Sequence, residues 1–140
     1  LIGTGARLRV RTDYMDRCVS PGDDNELWME GQKDAYQAVE SDLYQVLMRR
    51  ATEVGPAVEL NDFQACDNFD IMDEVHNIHL PTQVVCGSDD IMTPVKYSDY
   101  LGSKIEESDV QVISGGSHYV QLEKYQKVNE QIERFLGSLK

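Results

Sequence analysis

The second half of the chain alternates short apolar runs with helical periodicity. The run 82–87, TQVVCG, is rich in β-branched residues and ends at a glycine, and 109–116, DVQVISGG, repeats this plan. Such runs predict two strands. Between them apolar residues recur at helical spacing, which predicts a helix with Thr93 as its N-cap and Pro94 in its first position. The order predicts a right-handed parallel crossover, and apolar residues at helical spacing over 122–139 predict a final helix.

The first half shows helical patterns interrupted by turn residues. Residues 7–25 are polar and irregular, with a turn at Pro21, and predict a loop with short helical pieces. From residue 25 to 52 the apolar spacing predicts one amphipathic helix, or two helices that break near Gly31.

A second break follows at Gly55-Pro56. Beyond it, Asn61 or Asp62 is expected to cap one short helix, and Asp70 another.

The opening residues have the pattern of a strand end. The sequence begins without methionine on LIGTG, an apolar pair that runs into a glycine turn. We therefore expect residues 1–6 to be the end of a core strand. Because natural domains rarely start inside such a strand, we expect the chain to be a fragment, a processed product or a trimmed piece.

Length and charge restrict the class of protein. With 140 residues, 41% of them apolar, the chain is long enough for one compact domain with a core. Its formal net charge of −12 repels phosphate backbones and anionic lipid surfaces. No apolar run approaches the roughly 18 residues of a membrane span. We expect neither nucleic acid nor a membrane as a partner.

Cysteine and histidine spacing favours no metal site. Cys18, Cys66 and Cys86 are an odd number without a C-x-x-C pair, which argues against disulfides and thiolate metal sites and favours a reducing cytoplasm. Cys86 lies within an apolar strand and is expected to be a buried small side chain. His76 and His79 are three residues apart, but no third ligand accompanies them. Neither a metal nor a cofactor is expected.

The candidate chemistry lies directly after the two predicted strands. Asp90 follows the first strand and His118 the second, and the carboxyl ends of parallel strands share one rim, where ligands bind. A carboxylate there can accept the Nδ1 proton of a histidine and leave Nε2 to take a proton from a nucleophile. Gly115 and Gly116 allow the loop to lift His118 above the sheet edge.

Each residue alone has a simpler interpretation. An aspartate before Thr-Pro is often only a helix cap, and a single loop histidine is as often structural as catalytic. Their joint placement at successive strand ends favours the chemical interpretation.

Two segments resemble a known family. PTQVVCGSDDIMTP and VISGGSHYVQLEKYQKVNEQIERFL resemble the last strands of α/β-hydrolases, in which a D-x-x-T-P loop carries the acid of the triad and a G-x-x-H loop the histidine. GTGARLRV and NDFQACDNFDIMDEV resemble the segments that enter and leave the helical cap. The resemblance implies a partial α/β-hydrolase fold, with a three-stranded, mostly parallel sheet, flanking helices and a cap. It implies a core-strand end at 1–6, a cap segment at 7–62 and the carboxyl-terminal part of the core at 63–140.

The resemblance also implies roles. Asp90, four residues before Pro94, corresponds to the acid, with Asp89 as the alternative, and His118 corresponds to the base. Family members are serine hydrolases that act on esters, lactones or similar carbonyl compounds, so a small ester-like substrate is implied for the parent protein. Tyr125 stands where the family often has proline.

The nucleophile is the main departure from the family. The fold places it on a G-x-S-x-G elbow before the acid, and this sequence has no such motif. Ser88 and Ser117 lack the elbow and are interpreted as turn serines. We therefore expect a fragment of a serine hydrolase, inactive alone, that pairs with a missing amino-terminal part or with itself.

Two alternatives to the hydrolase fragment remain. One is a non-catalytic α/β-hydrolase-like module that binds a ligand or partner. The other is a nucleotide-binding α/β protein, which the lack of a glycine fingerprint disfavours.

Overall fold

The computed structural model describes residues 1–139, which form two compact units. The core unit contains Leu1–Leu8 and the chain from Asp70 onward, and the helical unit contains Arg9–Phe69. No helix in the described residues has the length and apolar character needed to cross a bilayer.

A small parallel sheet lies at the centre of the core unit. Strands β1, Thr82–Gly87, and β2, Ser108–Ile113, pair in parallel so that their first residues face each other. Ile2 forms a parallel bridge to Val85, where Gly3 N–H donates to the Val85 carbonyl at 3.0 Å and Val85 N–H to the Leu1 carbonyl at 2.8 Å. The third strand expected from the sequence is thus a short segment, and β1 occupies the middle of the sheet.

Three helices complete the core unit. Helix α5, Val95–Lys104, connects β1 to β2. Helices α6, Val120–Glu123, and α7, Tyr125–Ser138, follow β2. A 3₁₀ turn at Val75–Asn77 precedes β1.

Two buried clusters hold these helices against the sheet. Because successive strand residues point to opposite faces, Val84 and Val85 belong to different clusters. The cluster that includes α5 consists of Ala6, Val75, Val84, Leu101 and Ile105. The cluster that includes α7 consists of Val85, Ile113, Val120 and Val128. Each fully buried aliphatic side chain contributes about 1.5–3 kcal/mol.

The two segments of the core unit meet at Arg7 and Asp70. These residues form an antiparallel bridge, and Arg7 Nε lies 3.3 Å from a carboxylate oxygen of Asp70. Next to them, the Ile71 N–H donates to the Ala6 carbonyl at 2.8 Å.

Four helices form the helical unit. They are α1, Thr12–Val19, α2, Glu26–Tyr36, α3, Ser41–Val54, and α4, Pro56–Asn68, with a 3₁₀ turn at Asp23–Asn25. The irregular segment with short helical pieces predicted for residues 7–25 is confirmed.

A hydrogen-bond network around one half-buried carboxylate links three of these helices. Glu59 on α4 accepts hydrogen bonds from Trp28 Nε1, from Gln32 Nε2 at 2.8 Å and from the Cys18 thiol at 3.6 Å. Burial, with the nearby Glu59 charge, raises the pKa of Cys18 to about 12. Cys18 is therefore a protonated core thiol.

Two predicted boundaries in the helical unit are wrong. Helix α2 continues through Gly31 to Tyr36, because the buried side chains Trp28 and Gln32 require a continuous helical face on either side of the glycine. The chain breaks after Tyr36 instead.

The start of α4 is also earlier than predicted. The helix begins at Pro56, whose ring fixes φ at a helical value, so Asn61 and Asp62 lie inside the helix and cap nothing. Asp70 accepts a hydrogen bond from the Met72 N–H at 3.2 Å, but a turn follows it in place of the expected helix.

Helix α5 begins one residue later than predicted. Its first residue is Val95, and Pro94 occupies the cap position with extended backbone angles. Thr93 does not cap the helix, because its polar groups bind Asp90.

Candidate active site

The loops after β1 and β2 are tied to each other by backbone hydrogen bonds. Ser88 N–H donates to the Ile113 carbonyl at 3.0 Å and Asp89 N–H to the Gly116 carbonyl at 2.9 Å. In return, Gly115 N–H donates to Ser88 Oγ at 2.9 Å. These bonds fix the two loops at one rim of the sheet.

Glycine allows this close contact. A Cβ atom on Gly87 would lie 2.1 Å from the Gly116 carbonyl oxygen, so a side chain there would collide with backbone. Gly115 has φ +70°, in the left-handed region that other residues rarely adopt.

Asp90 is fully enclosed and fully hydrogen-bonded. Its side chain is 0% exposed. Oδ1 accepts the N–H groups of Met92 and Thr93, both at 2.8 Å, and Oδ2 accepts the Thr93 hydroxyl at 2.8 Å. Burial acts to raise the pKa of Asp90, but the hydrogen bonds from His118 and Thr93 outweigh burial and hold the pKa below its ordinary value. The carboxylate is therefore ionised at neutral pH.

His118 lies directly against this carboxylate. Its Nδ1 atom is 3.0 Å from Asp90 Oδ2. Because an ionised carboxylate only accepts hydrogen bonds, Nδ1 carries a proton. The ring is 26% exposed, and Nε2 makes no hydrogen bond to any residue within 1–139. The pair thus presents a histidine whose second nitrogen is available to take a proton.

Gly3 and Tyr119 pack against His118. A Cβ atom on Gly3 would lie 3.1 Å from the His118 carbonyl oxygen and 3.7 Å from Nδ1. The Tyr119 ring contacts the imidazole edge-on at 5.3 Å between centroids.

Known structures share this architecture. No protein-family model matches the sequence, and a comparison with curated proteins finds no match. A thermophilic esterase is 31% identical, with a TM-score of 0.81 over 98% of this chain and 54% of its own. The enol-lactonase of Burkholderia xenovorans LB400 is 17% identical, with a TM-score of 0.80 over 99% of this chain and 55% of its own. The bromoperoxidase of Bacillus anthracis is 19% identical, with a TM-score of 0.82 over 98% of this chain and 56% of its own.

The chain belongs to the α/β-hydrolase superfamily. The fold predicted from its motifs is confirmed. The chain spans about half the length of the solved structures that it matches.

Within this α/β-hydrolase fold, Asp90 and Asp89 have different surroundings. Asp89 is exposed and its Oδ1 accepts the hydroxyl of its neighbour Ser88 at 2.7 Å. The structure brings Asp90 to His118.

Glu123 supports the histidine loop and was not identified from the sequence. Its carboxylate accepts the Ser117 N–H at 2.7 Å and also the Ser117 hydroxyl. The six-residue spacing matches no local capping pattern, so only the folded turn reveals the contact. The Ser117 hydroxyl, next to His118, therefore donates to Glu123, and the Ser88 hydroxyl donates to Asp89.

The remaining candidates take no part in this site. Cys86 is completely buried in β1, and burial raises the pKa of its thiol. His76 and His79 are exposed, and no group of three potential metal ligands exists in the described residues.

Proposed function

We propose that this chain carries the acid and the base of a serine-hydrolase triad. The observation behind the proposal is the bond between His118 Nδ1 and the buried, ionised Asp90, which leaves Nε2 without a partner in residues 1–139. Asp90 holds the Nδ1-protonated tautomer and stabilises the imidazolium that forms during the reaction. His118 Nε2 takes the proton of a serine hydroxyl as it attacks a carbonyl carbon, then returns that proton to the leaving group.

We propose that the nucleophile lies outside this sequence. The 140 residues contain no G-x-S-x-G motif, and the serines beside the pair are engaged in loop hydrogen bonds. The amides of an oxyanion hole, one of which follows the nucleophile in this fold, come from the same outside segment. On this proposal the chain alone is inactive.

The proposed substrates are small carboxylic esters or lactones. Support comes from the solved structures that the chain resembles, which include a thermophilic esterase and an enol-lactonase. Acyl transfer to serine needs no cofactor. Free thiols at Cys18, Cys66 and Cys86 fit a reducing compartment such as the cytoplasm.

The deciding experiment uses the longer protein that contains this chain together with a G-x-S-x-G segment. His118→Ala and Asp90→Asn should each lower kcat on an aryl ester, by up to about 10⁴-fold. Asp89→Asn is the matched control and should retain nearly full activity. If Asp89→Asn loses activity instead, the acid is Asp89 and not Asp90. A fully active His118→Ala would refute the proposal.

The isolated chain provides a second test. It should neither turn over a short-chain aryl ester nor react with a serine-directed phosphonate, because no activated serine is present. Phosphonate-sensitive turnover by pure chain would refute the outside nucleophile. A parent gene without any G-x-S-x-G segment would favour the non-catalytic binding module.

A further inference from the structure

Thr93 binds both oxygens of the Asp90 carboxylate. Its N–H donates to Oδ1 and its hydroxyl to Oδ2, both at 2.8 Å, and the residue is only 6% exposed. Oδ2 also accepts the hydrogen bond from His118 Nδ1. One residue therefore restrains rotation of the carboxylate by binding both of its oxygens.

The Thr93 hydroxyl also lies next to the imidazole. Oγ1 is 3.4 Å from His118 Nδ1. The hydroxyl has one proton, which it donates to Asp90, so a lone pair remains on the side of the Nδ1–H. This arrangement is compatible with a protonated Nδ1 and opposes the other tautomer, in which Nδ1 would present a lone pair to both oxygen atoms.

Helix capping does not explain these contacts. Helix α5 begins at Val95 and has no side-chain cap hydrogen bond. A threonine before proline is restricted to extended backbone angles, and its branched Cβ stiffens χ1. Thr93 is thus a rigid donor whose hydroxyl is used on the carboxylate and not on the helix.

We propose that Thr93 is a positioning residue, whose hydroxyl fixes the orientation of the Asp90 carboxylate and thereby the Nδ1-protonated tautomer of His118. Its catalytic importance rests on the proposed triad, but its effect on the imidazole is measurable in this chain without any activity.

The test is ¹⁵N and ¹H NMR of the His118 ring in the folded chain at neutral pH. Thr93→Val removes the hydroxyl at nearly constant shape, whereas Thr93→Ser retains it. We expect Thr93→Val to populate the Nε2-protonated tautomer and to speed exchange of the Nδ1 proton with water by about tenfold or more, as for loss of one buried hydrogen bond. Thr93→Ser should keep the wild-type signals. Thr93→Ala removes the same hydroxyl and serves if Thr93→Val does not fold.

The matched control is Thr82→Val. The Thr82 hydroxyl donates to the Leu80 carbonyl at 2.8 Å, at the other end of β1. This variant makes the same substitution and loses a threonine hydrogen bond of the same length, at a more exposed position away from the site, so it should leave the His118 signals unchanged. Wild-type ring signals in both Thr93→Val and Thr93→Ala, or equal changes in Thr82→Val, would refute the positioning role.

Kinetics in the longer protein separate this inference from the proposed function. Thr93→Val should lower kcat by about 10- to 100-fold with little change in KM, and Thr93→Ser should restore it. If His118→Ala abolishes activity while Thr93→Val keeps both wild-type kcat and wild-type ring signals, the triad stands and the role of Thr93 is refuted. If the ring signals change as expected in a protein without hydrolase activity, the role of Thr93 stands and the proposed function is refuted.

Discussion

Asp90 links the candidate site to the acid stability of the fold. Hydrogen bonds from His118 and Thr93 hold the pKa of this buried carboxyl below its ordinary value, despite the opposing effect of burial. In the unfolded chain the same group has a pKa of about 4. As the pH falls, the unfolded chain therefore takes up a proton before the folded chain does, and unfolding becomes more favourable.

We expect the stabilisation from Asp90 to be complete above about pH 5 and to disappear gradually below it as the pH falls through the folded pKa. Asp90→Asn should lower the free energy of unfolding at pH 7, and the difference from wild type should shrink towards pH 3. Urea unfolding followed by circular dichroism at a series of pH values measures this, with Asp89→Asn as the control. A difference that stays constant across this range would contradict the expectation.

The two candidate residues were predictable because their signals are local. Asp90 and His118 directly follow short apolar runs that end in glycine, and strand ends of a parallel sheet share one rim. Thr93 and Glu123 were not predicted as partners of this pair. Thr-Pro matches a helix start equally well, and the contact between Glu123 and Ser117 depends on a turn with no sequence signature.

At the level of elements, the contact between the two loops depends on Gly87. Gly87→Ala should destabilise the chain by about 3 kcal/mol or more, because the added Cβ atom meets backbone that cannot move aside cheaply. Gly137→Ala is the control: Gly137 lies in α7 with nothing within 4 Å of an added Cβ, and the change should stabilise the helix by up to about 1 kcal/mol. Thermal unfolding of both variants tests this. Equal midpoints for the two would show that the loops do not meet as described.

In the helical unit, Glu59 connects helix α4 to helix α2. Glu59→Ala should destabilise this unit by about 1–3 kcal/mol, because Trp28 and Gln32 would keep buried N–H donors without an acceptor. Glu59→Gln retains one acceptor oxygen and should cost less. Trp28 is the only tryptophan in the sequence, so its fluorescence during urea unfolding reports on this unit. Equal stabilities for Glu59→Ala and Glu59→Gln would contradict the role of the network.

The same network explains why helix boundaries were harder to predict than strands. Glu59 lies 31 residues from Trp28 and 27 from Gln32 in sequence. Contacts over such separations decide which positions are buried, whereas Gly31 was interpreted only from its near neighbours. The start of α4, by contrast, follows from the local Pro56. The strands required no distant information, since each β-branched run and the glycine that follows it are visible within eight residues.

At the scale of the whole molecule, we expect the chain to associate. Within residues 1–139, β2 pairs only with β1, which leaves its other edge available for pairing. The core unit also exposes several large apolar side chains: Leu1, Ile2, Leu80, Ile91, Val112, Leu136 and Leu139. The net charge of −12 opposes association, but salt screens it beyond about 10 Å at 0.1 M.

Light scattering during size-exclusion chromatography should therefore give a mass above the 15.9 kDa of one chain, and added salt should favour the larger species. A sharp, folded peak at 15.9 kDa that salt does not alter would contradict this expectation.

Arg7 and Asp70 bring the two ends of segment 9–69 close together. They place the exit from the core unit beside the re-entry, and both contacts belong to the core unit itself. Residues 9–69 are thus an insertion between two adjacent points of the core unit. The entropic cost of closing such a loop rises by only about 0.6 kcal/mol for each doubling of its length. We therefore expect the position to tolerate inserts of different size without a change in the sheet. Replacing residues 9–69 by another segment should then leave the strand ends that carry Asp90 and His118 unchanged.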